Sequence, residues 1–426
     1  MEHLIENLFQ KFLICTGASI DNRTVQSGEM FFGLPGEHVN GGQFAAAALA
    51  KGAAYCVVDD PSYAISEACI LVEDVLLTMQ QLAAAYRNTF GFPVLALTGS
   101  NGKTTTKELI AAVLSKKYIT YATKGNLNNH IGVPLTILNI KQDCTFAVIE
   151  MGANHQGEIA GYCNYAQPDF ALITNIGKAH LEGFGGEAGV LKGKSELYQY
   201  VMHQEGVIFW NSNQSQLAPL AQAYAHTVRY GYSENDYIVG KVVADQDKAV
   251  VTIDDEITIR SQLVGSYNAD NIIAAACIGK YFDVPYADIQ EAIEQYTPGN
   301  NRSEWREIGN NTFILDAYNA NPSSMRVALE NFARLQASLK IVIIGDMLEL
   351  GAFARQEHTE ILELAQSGNF AQVVTVGPIF KSLDVSNVLS FENSDQVKAW
   401  FDDQHFSGAT ILLKGSRGIR LEKIIQ

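Results

Sequence analysis

The chain reads as an α/β protein of three domains, and three observations carry that reading. A short apolar run, Val94 to Thr98, meets a glycine turn and then a helix opening at Lys103. Apolar runs of strand length then alternate with helical stretches, first between about 89 and 298 and again between about 299 and 426. A length of 426 residues suggests about three domains at roughly 150 residues each.

The strand–turn–helix organises the rest. Gly99 to Gly102 is the turn, and Leu109, Ile110, Val113 and Leu114 share one side of the helix that follows. This is the build of a phosphate cradle: N–H groups at the helix start face the anion, Lys103 adds charge, and the Thr104 hydroxyl suits Mg²⁺. The usual pattern has a further glycine where Leu97 stands, so the loop is a shortened form. Gly-Lys-Thr also occurs by chance, so the motif alone is weak.

Residues 1–88 read as a small α/β unit, with strands at Met30–Phe32 and Tyr55–Val58 and an alanine-rich helix from Phe44 to Lys51. A helix from Thr78 to Asn88 leads into the next domain. Residues 89–298 read as a central parallel-sheet ATPase domain carrying the phosphate loop. Thr145 to Ile149 is a buried strand ending at Glu150, Phe170 to Ile173 is another, and Val207 to Trp210 is a third. Ligands of such sheets sit beyond the carboxyl ends of the strands, where the phosphate loop, Glu150 and His180 all fall. Singly, Glu150 is an ordinary strand-end carboxylate and His180 an ordinary loop histidine. With Thr104 they make the hydroxyl, carboxylate and imidazole set that suits Mg²⁺ and a triphosphate. A hairpin is expected around Asp254-Asp255, and Asn268 to Lys280 reads as a helix. Asn268 and Asn271 in its first turn are either caps or amides for the edge of a base.

Residues 299–426 read as a Rossmann-like α/β domain. Its strands run from Thr312 to Leu315, Lys340 to Ile344, Val373 to Val376 and Thr410 to Leu413, each ending in small or charged residues. Acidic groups outnumber basic ones 46 to 30, a net charge of −16, which argues against nucleic acid or an anionic membrane as partner. The six scattered cysteines form no Cys-x-x-Cys pair and fit a reducing compartment. The N-terminus lacks the pattern of a signal peptide, and no run reaches the roughly 20 apolar residues of a membrane span. A cytoplasmic protein is expected.

At this point the residues resemble the Mur ligases of peptidoglycan synthesis, over essentially the whole chain. Within them the likeness is to the type that joins D-alanyl-D-alanine to UDP-N-acetylmuramoyl-tripeptide. Thr98-Gly-Ser-Asn-Gly-Lys-Thr-Thr-Thr106 is similar to the shortened phosphate loop shared with folylpolyglutamate synthetases. Thr123 to Pro134, Ile149-Glu-Met-Gly152 and Asn175 to Leu181 resemble the family's next loop and metal-binding strand ends. Leu315-Asp-Ala-Tyr-Asn-Ala-Asn-Pro-Ser-Ser-Met325 discriminates most, since other Mur ligases differ after that aspartate. Gly345 to Gly351 and Lys414-Gly-Ser-Arg417 look like the same type. The Asp-Asn-Pro-Arg motif of diaminopimelate-adding members is missing. Asp21-Asn-Arg23 and Asn40-Gly41 stand where the family often has Asp-Ser-Arg and Asp-Gly.

The resemblance implies an ADP-forming ligase working through an acyl phosphate, with ATP and two Mg²⁺ sites. It implies that Gly99, Ser100, Asn101, Gly102, Lys103, Thr104 and Thr105 hold phosphates, with Thr104 and Glu150 on one Mg²⁺ and His180 on a second. Lys194 matches the lysine that the family carbamylates into a metal ligand, although Lys192 lies close enough to leave the register open. Lys103, His180 and Lys194 are the catalytic candidates. Asn268 and Asn271 would meet adenine, Arg302 the phosphates and Asp316 the ribose. Asp21, Asn22, Arg23 and Thr24 would hold the uridine end. Asn126, Asn128, Asn129, Asn319, Asn321 and Lys414 would meet the other substrate groups. The N-terminal domain would thus bind the UDP-sugar and the C-terminal one the acceptor, in a monomer. The alternatives are another Mur ligase, a folylpolyglutamate synthetase-like ligase, or a nucleotide-binding regulator without catalysis.

Overall fold

A computed structural model describes residues 2–244, 248–298 and 304–425. Three sheets follow one another along the chain. The first has four parallel strands in chain order, Ala18–Ser19, Met30–Phe32, Tyr55–Val58 and Cys69–Leu71. Helices Glu2–Phe12 and Val75–Arg87 pack beside it, with the Phe12 and Tyr86 rings edge to face at 5.2 Å. The second helix starts three residues before the expected Thr78, because the Asp74 carboxylate accepts the Leu77 N–H at 2.8 Å and caps it there. The alanine-rich helix, by contrast, is shorter than expected: Gly41–Phe44 forms a 3₁₀ turn capped by Asn40, and the helix proper is Ala45–Ala50.

The central sheet has nine strands. From one edge they run Thr120–Ala122, Phe146–Glu150, Val94–Thr98, Phe170–Ile173, Val207–Asn211, Thr227–Gly231 and Ile238–Val243, all parallel. Lys248–Ile253 and Ile257–Val264 then add antiparallel, with Asp254 and Asp255 turning the chain at positive φ. The expected hairpin is therefore the end of a larger sheet. Val94–Thr98 lies between strands that follow it in sequence on either side, so the chain order reverses there and a crevice opens beyond its carboxyl end. Leu97 pairs with Glu150 and Thr98 with Ile173, which brings three strand ends level. Behind the loop, helix Lys103–Leu114 buries Leu109, Ile110, Val113 and Leu114 against helix Ala269–Tyr281.

The third sheet has six strands in the order Glu304–Ile308, Asn311–Asp316, Ala409–Lys414, Leu339–Gly345, Gln372–Val376 and Leu389–Phe391. All pairings are parallel except the hairpin of the first two. The edge strand Glu304–Ile308 was not expected. It is mostly exposed and alternates too weakly in polarity to be read from sequence.

Candidate active site

One cavity of about 850 Å³ opens where the central and third sheets face each other. The phosphate loop forms its floor. Gly99, at φ +148°, leaves no room for a Cβ, which would fall 1.9 Å from Thr174 Oγ1. Gly102, at φ +79°, starts the helix in a left-handed conformation. The loop is tied down from the neighbouring strand end. Asn101 N–H donates to Asn175 Oδ1 at 3.0 Å, Thr174 Oγ1 donates to Asn101 O at 2.7 Å, and Ser100 Oγ donates to Gly177 O at 3.0 Å. Lys103 Nζ folds over the loop and donates to Gly99 O at 2.8 Å.

Thr104 and Glu150 meet in this floor. The Thr104 hydroxyl lies 3.1 and 3.0 Å from the two Glu150 carboxylate oxygens, and the carboxylate is almost wholly buried. Asn128 Nδ2 donates to Glu150 Oε1 at 2.7 Å, so the loop after the phosphate helix holds that carboxylate in place. A hydroxyl and a fixed carboxylate at the mouth of a phosphate cradle are a fitting donor pair for Mg²⁺, which takes one or two protein ligands beside phosphates and water. His180 lines the same cavity at φ +53°, and its Nδ1 pairs with Glu349 Oε2 of the third-sheet unit. That contact holds Glu349 below the usual carboxylate range. Among the described residues no three His, Cys, Asp or Glu side chains cluster as a metal cage.

Of the two lysines left open by sequence, Lys194 is the interior one. Helix Glu187–His203 buries it completely, whereas Lys192 is exposed. Its Nζ donates to Ala153 O at 3.1 Å and lies over the Phe184 ring. Burial, with the charge of Lys103 second, pushes its proton affinity well below the usual lysine range. Burial thus disfavours the charged ammonium at this position. Lys194 backs the cavity through Ala153 rather than lining it.

The remaining expected residues divide clearly. Thr105, Asn126, Asn129, Asn268, Asn271, Asp316, Asn319, Asn321 and Lys414 all line the cavity. Asn268 stands at the helix N-cap without a side-chain capping bond; its Nδ2 donates instead to Val264 O. Asn271 accepts from Thr106 Oγ1 at 2.9 Å and donates to Asn268. Lys414 pairs with Asp316 across adjacent strands. Asp21, Asn22, Arg23 and Thr24 do not line this cavity. There Arg23 forks onto Asp21, which drops the Asp21 carboxyl to about 2, and Thr24 Oγ1 donates to Asp21 O. Arg302 lies outside the described residues.

Contacts between the two large units were missed from sequence. Asn321 Nδ2 donates to Asn101 Oδ1 at 2.8 Å, which links the start of helix Pro322–Arg334 directly to the phosphate loop. The Lys178 N–H donates to Ser323 Oγ at 2.9 Å, and Lys178 Nζ pairs with the buried Glu357 at 2.6 Å. Partners so far apart in the chain leave no local signal.

Comparison with known proteins agrees with this geometry. Three family profiles match: "Mur ligase family, catalytic domain" over 15–87, "Mur ligase middle domain" over 97–279, and "Mur ligase, glutamate ligase domain" over 301–417. The UDP-N-acetylmuramoyl-tripeptide–D-alanyl-D-alanine ligase of Bacillus subtilis is 33% identical over 426 residues, covering 96% of this chain and 92% of that one. The chain belongs to the Mur ligase family. The Escherichia coli ligase of the same name is 31% identical, covering 95% of this Mur ligase and 92% of its own length. Among solved structures, MurF from Acinetobacter baumannii matches with a TM-score of 0.84 at 30% identity, covering 96% of this chain and 92% of that one. MurF from Thermotoga maritima in complex with ADP gives 0.84 at 25%, covering 97% of each. Among the described residues no helix is long and apolar enough to cross a membrane.

Proposed function

We propose that this Mur ligase adds D-alanyl-D-alanine to UDP-N-acetylmuramoyl-tripeptide, forming an amide bond at the expense of ATP. The observation that carries the proposal is the shared cavity: the phosphate loop, the buried Thr104–Glu150 pair and the Asp316–Asn321 segment all face one space. The names of the relatives support the substrates, and the ADP complex of a neighbour supports the nucleotide.

In the first step the tripeptide's terminal carboxylate attacks the γ-phosphorus of ATP. The new P–O bond forms as the bond to the β-phosphate oxygen breaks, leaving an acyl phosphate and ADP. The acceptor's neutral amine then attacks the activated carbonyl. The tetrahedral intermediate collapses, phosphate leaves with the C–O bond electrons, and the nitrogen gives up a proton. Such chemistry needs positioning and charge compensation more than covalent help. The loop N–H groups and Lys103 cradle the phosphates. Asn268 and Asn271 serve adenine, Asp316 the ribose, and Asn319 and Lys414 the acceptor side. Thr104 and Glu150 suit one Mg²⁺ and His180, once released from Glu349, a second; such ions supply charge neutralisation between phosphates and carboxylate. Lys194 as a carbamate would add a second anionic oxygen ligand behind Ala153, a role favoured by a burial that disfavours the ammonium.

By the same reading residues 1–88 hold the uridine end, through Asp21 to Thr24, residues 89–298 bind ATP, and 299–426 take the acceptor. Arg302 is assigned to the phosphates on the resemblance alone. A monomer is part of the same proposal. A cytoplasmic place follows from the nucleotide substrates. The test is phosphate release from ATP with the UDP-tripeptide and a choice of acceptors. Turnover with D-alanyl-D-alanine and not with single amino acids is the expected result; turnover with a single amino acid on a shorter precursor would move the chain to a sister activity.

A further inference from the structure

We infer that Lys107 is a positioning residue for the phosphate-transfer step, a buried counter-ion that fixes the Glu150 carboxylate against Thr104. Lys103 and Lys107 stand one turn apart on helix Lys103–Leu114, so both point to the same side. Lys103 closes over the phosphate loop. Lys107 runs beneath it and is only 2% exposed. Its Nζ donates to Thr123 O at 2.7 Å and lies 3.8 Å from Glu150 Oε2. Thr123 in turn accepts the Glu150 N–H on its hydroxyl at 3.0 Å. Lys107 therefore grips Glu150 twice, by charge at the carboxylate and through Thr123 at the main chain. Its other acidic neighbour is Glu108, at 3.8 Å, a half-buried carboxylate that also accepts from the Tyr296 hydroxyl.

The physical case rests on burial. An ammonium and a carboxylate shut away from water are each costly alone, and they persist only with partners. The Glu150 carboxylate already spends its oxygens on Thr104 and Asn128. Those neutral groups orient it but leave its charge uncompensated, and Lys107 supplies the balance. The same cation keeps the site ordered before a nucleotide arrives. This inference rests on the reading of Glu150 as a group that works on the phosphates, and its test includes arms that do not depend on ligase turnover.

The experiment compares wild type, Lys107→Met, Lys107→Arg, Glu150→Gln and the Lys107→Met/Glu150→Gln double variant. Lys107→Met is expected to lower kcat by about 10–100-fold, the range for groups that orient a metal ligand, with KM for the UDP-substrate and the acceptor within about threefold. Lys107→Arg recovers part of the loss. By calorimetry, the Mg²⁺ concentration that half-saturates ADP binding rises about tenfold in Lys107→Met, while ADP affinity without Mg²⁺ stays unchanged. In the nucleotide-free proteins Lys107→Met lowers the melting temperature, and adding Glu150→Gln raises it again because the orphaned charge is gone. A wild-type kcat and Mg²⁺ requirement in Lys107→Met would overturn the inference, as would a melting loss that Glu150→Gln leaves untouched. If Lys107→Met alone fails to fold, folding of the double variant supports the pairing, and its failure counts against it. Should the chain show no ligase turnover at all, the melting cycle still reads the pair.

Discussion

The phosphate-loop region and the Asp21–Thr24 loop are both candidate binding segments, and they are built in opposite ways. Around the phosphate loop, side chains bond to partners far along the chain: Thr104 to Glu150, Thr106 to Asn271, and Asn101 to Asn321. In the Asp21–Thr24 loop the side chains bond only within the loop, Arg23 to Asp21 and Thr24 to Asp21, with Lys51 Nζ donating to Arg23 O from outside, and the Arg23 side chain is 82% exposed. A site held by long-range partners is set before the substrate arrives, which is what charge compensation in phosphoryl transfer requires. A locally held, solvated loop can only grip a ligand that reaches it. The first region should therefore govern kcat and the second KM.

The largest effect is expected at Glu150. Glu150→Ala should lower ADP formation by about 10³-fold or more while circular dichroism stays native, since the proposed reading makes it a ligand of the ion that neutralises the phosphates. Wild-type-like turnover would remove Glu150 from the mechanism. Lys194→Met should be nearly as inactive yet no less stable at neutral pH. Because burial depresses the folded-state proton affinity of Lys194, unfolding takes up a proton. Its contribution is intact above the ordinary lysine value of 10.5 and falls as pH drops toward the lower folded value. A melting-temperature profile in which wild type loses more than Lys194→Met on going from pH 10 to 7, in carbonate-free buffer, is the expected outcome.

Next in size is the link between units. Asn101→Ala and Asn321→Ala should each cost about tenfold in kcat, and the double variant little more than either, because both remove the same bond. Fully additive losses would mean that the two amides act separately. The His180–Glu349 contact adds a pH handle. Since the contact lowers Glu349 in the folded protein, its contribution is present above 4.5, the ordinary glutamate value, and is lost as pH falls through the lower folded value. Protease susceptibility of the junction should rise on acidification in wild type more than in Glu349→Gln. The smallest effect is Arg23→Ala. Its pair with Asp21 is exposed and screened by water, so stability should hardly change while KM for the UDP-substrate rises a few-fold.

The same contrast explains what sequence could reveal. Val94–Thr98 and Phe146–Glu150 were legible because strands buried on both faces are continuous apolar runs. The phosphate loop was legible because its glycines and Lys-Thr are contiguous. Glu304–Ile308 was not, being a mostly exposed edge strand whose pattern resembles a loop. Lys107 carries no signal in the sequence because a lysine on a helix is ordinarily solvated, and only the fold shows it 2% exposed. Burial likewise separates Lys194 from Lys192, which two residues of spacing could not. Lys178, Glu349 and Glu357 acquire meaning only when two sheets meet.

Attack of a substrate carboxylate on ATP at this loop would leave an isotopic trace in the phosphate, which oxygen labelling reads. The UDP-tripeptide is prepared with ¹⁸O in its terminal carboxylate and turned over with ATP and D-alanyl-D-alanine. One ¹⁸O atom is expected in each released phosphate, carried there when the acyl phosphate breaks at its C–O bond. Phosphate free of label, with amide product still formed, would contradict it.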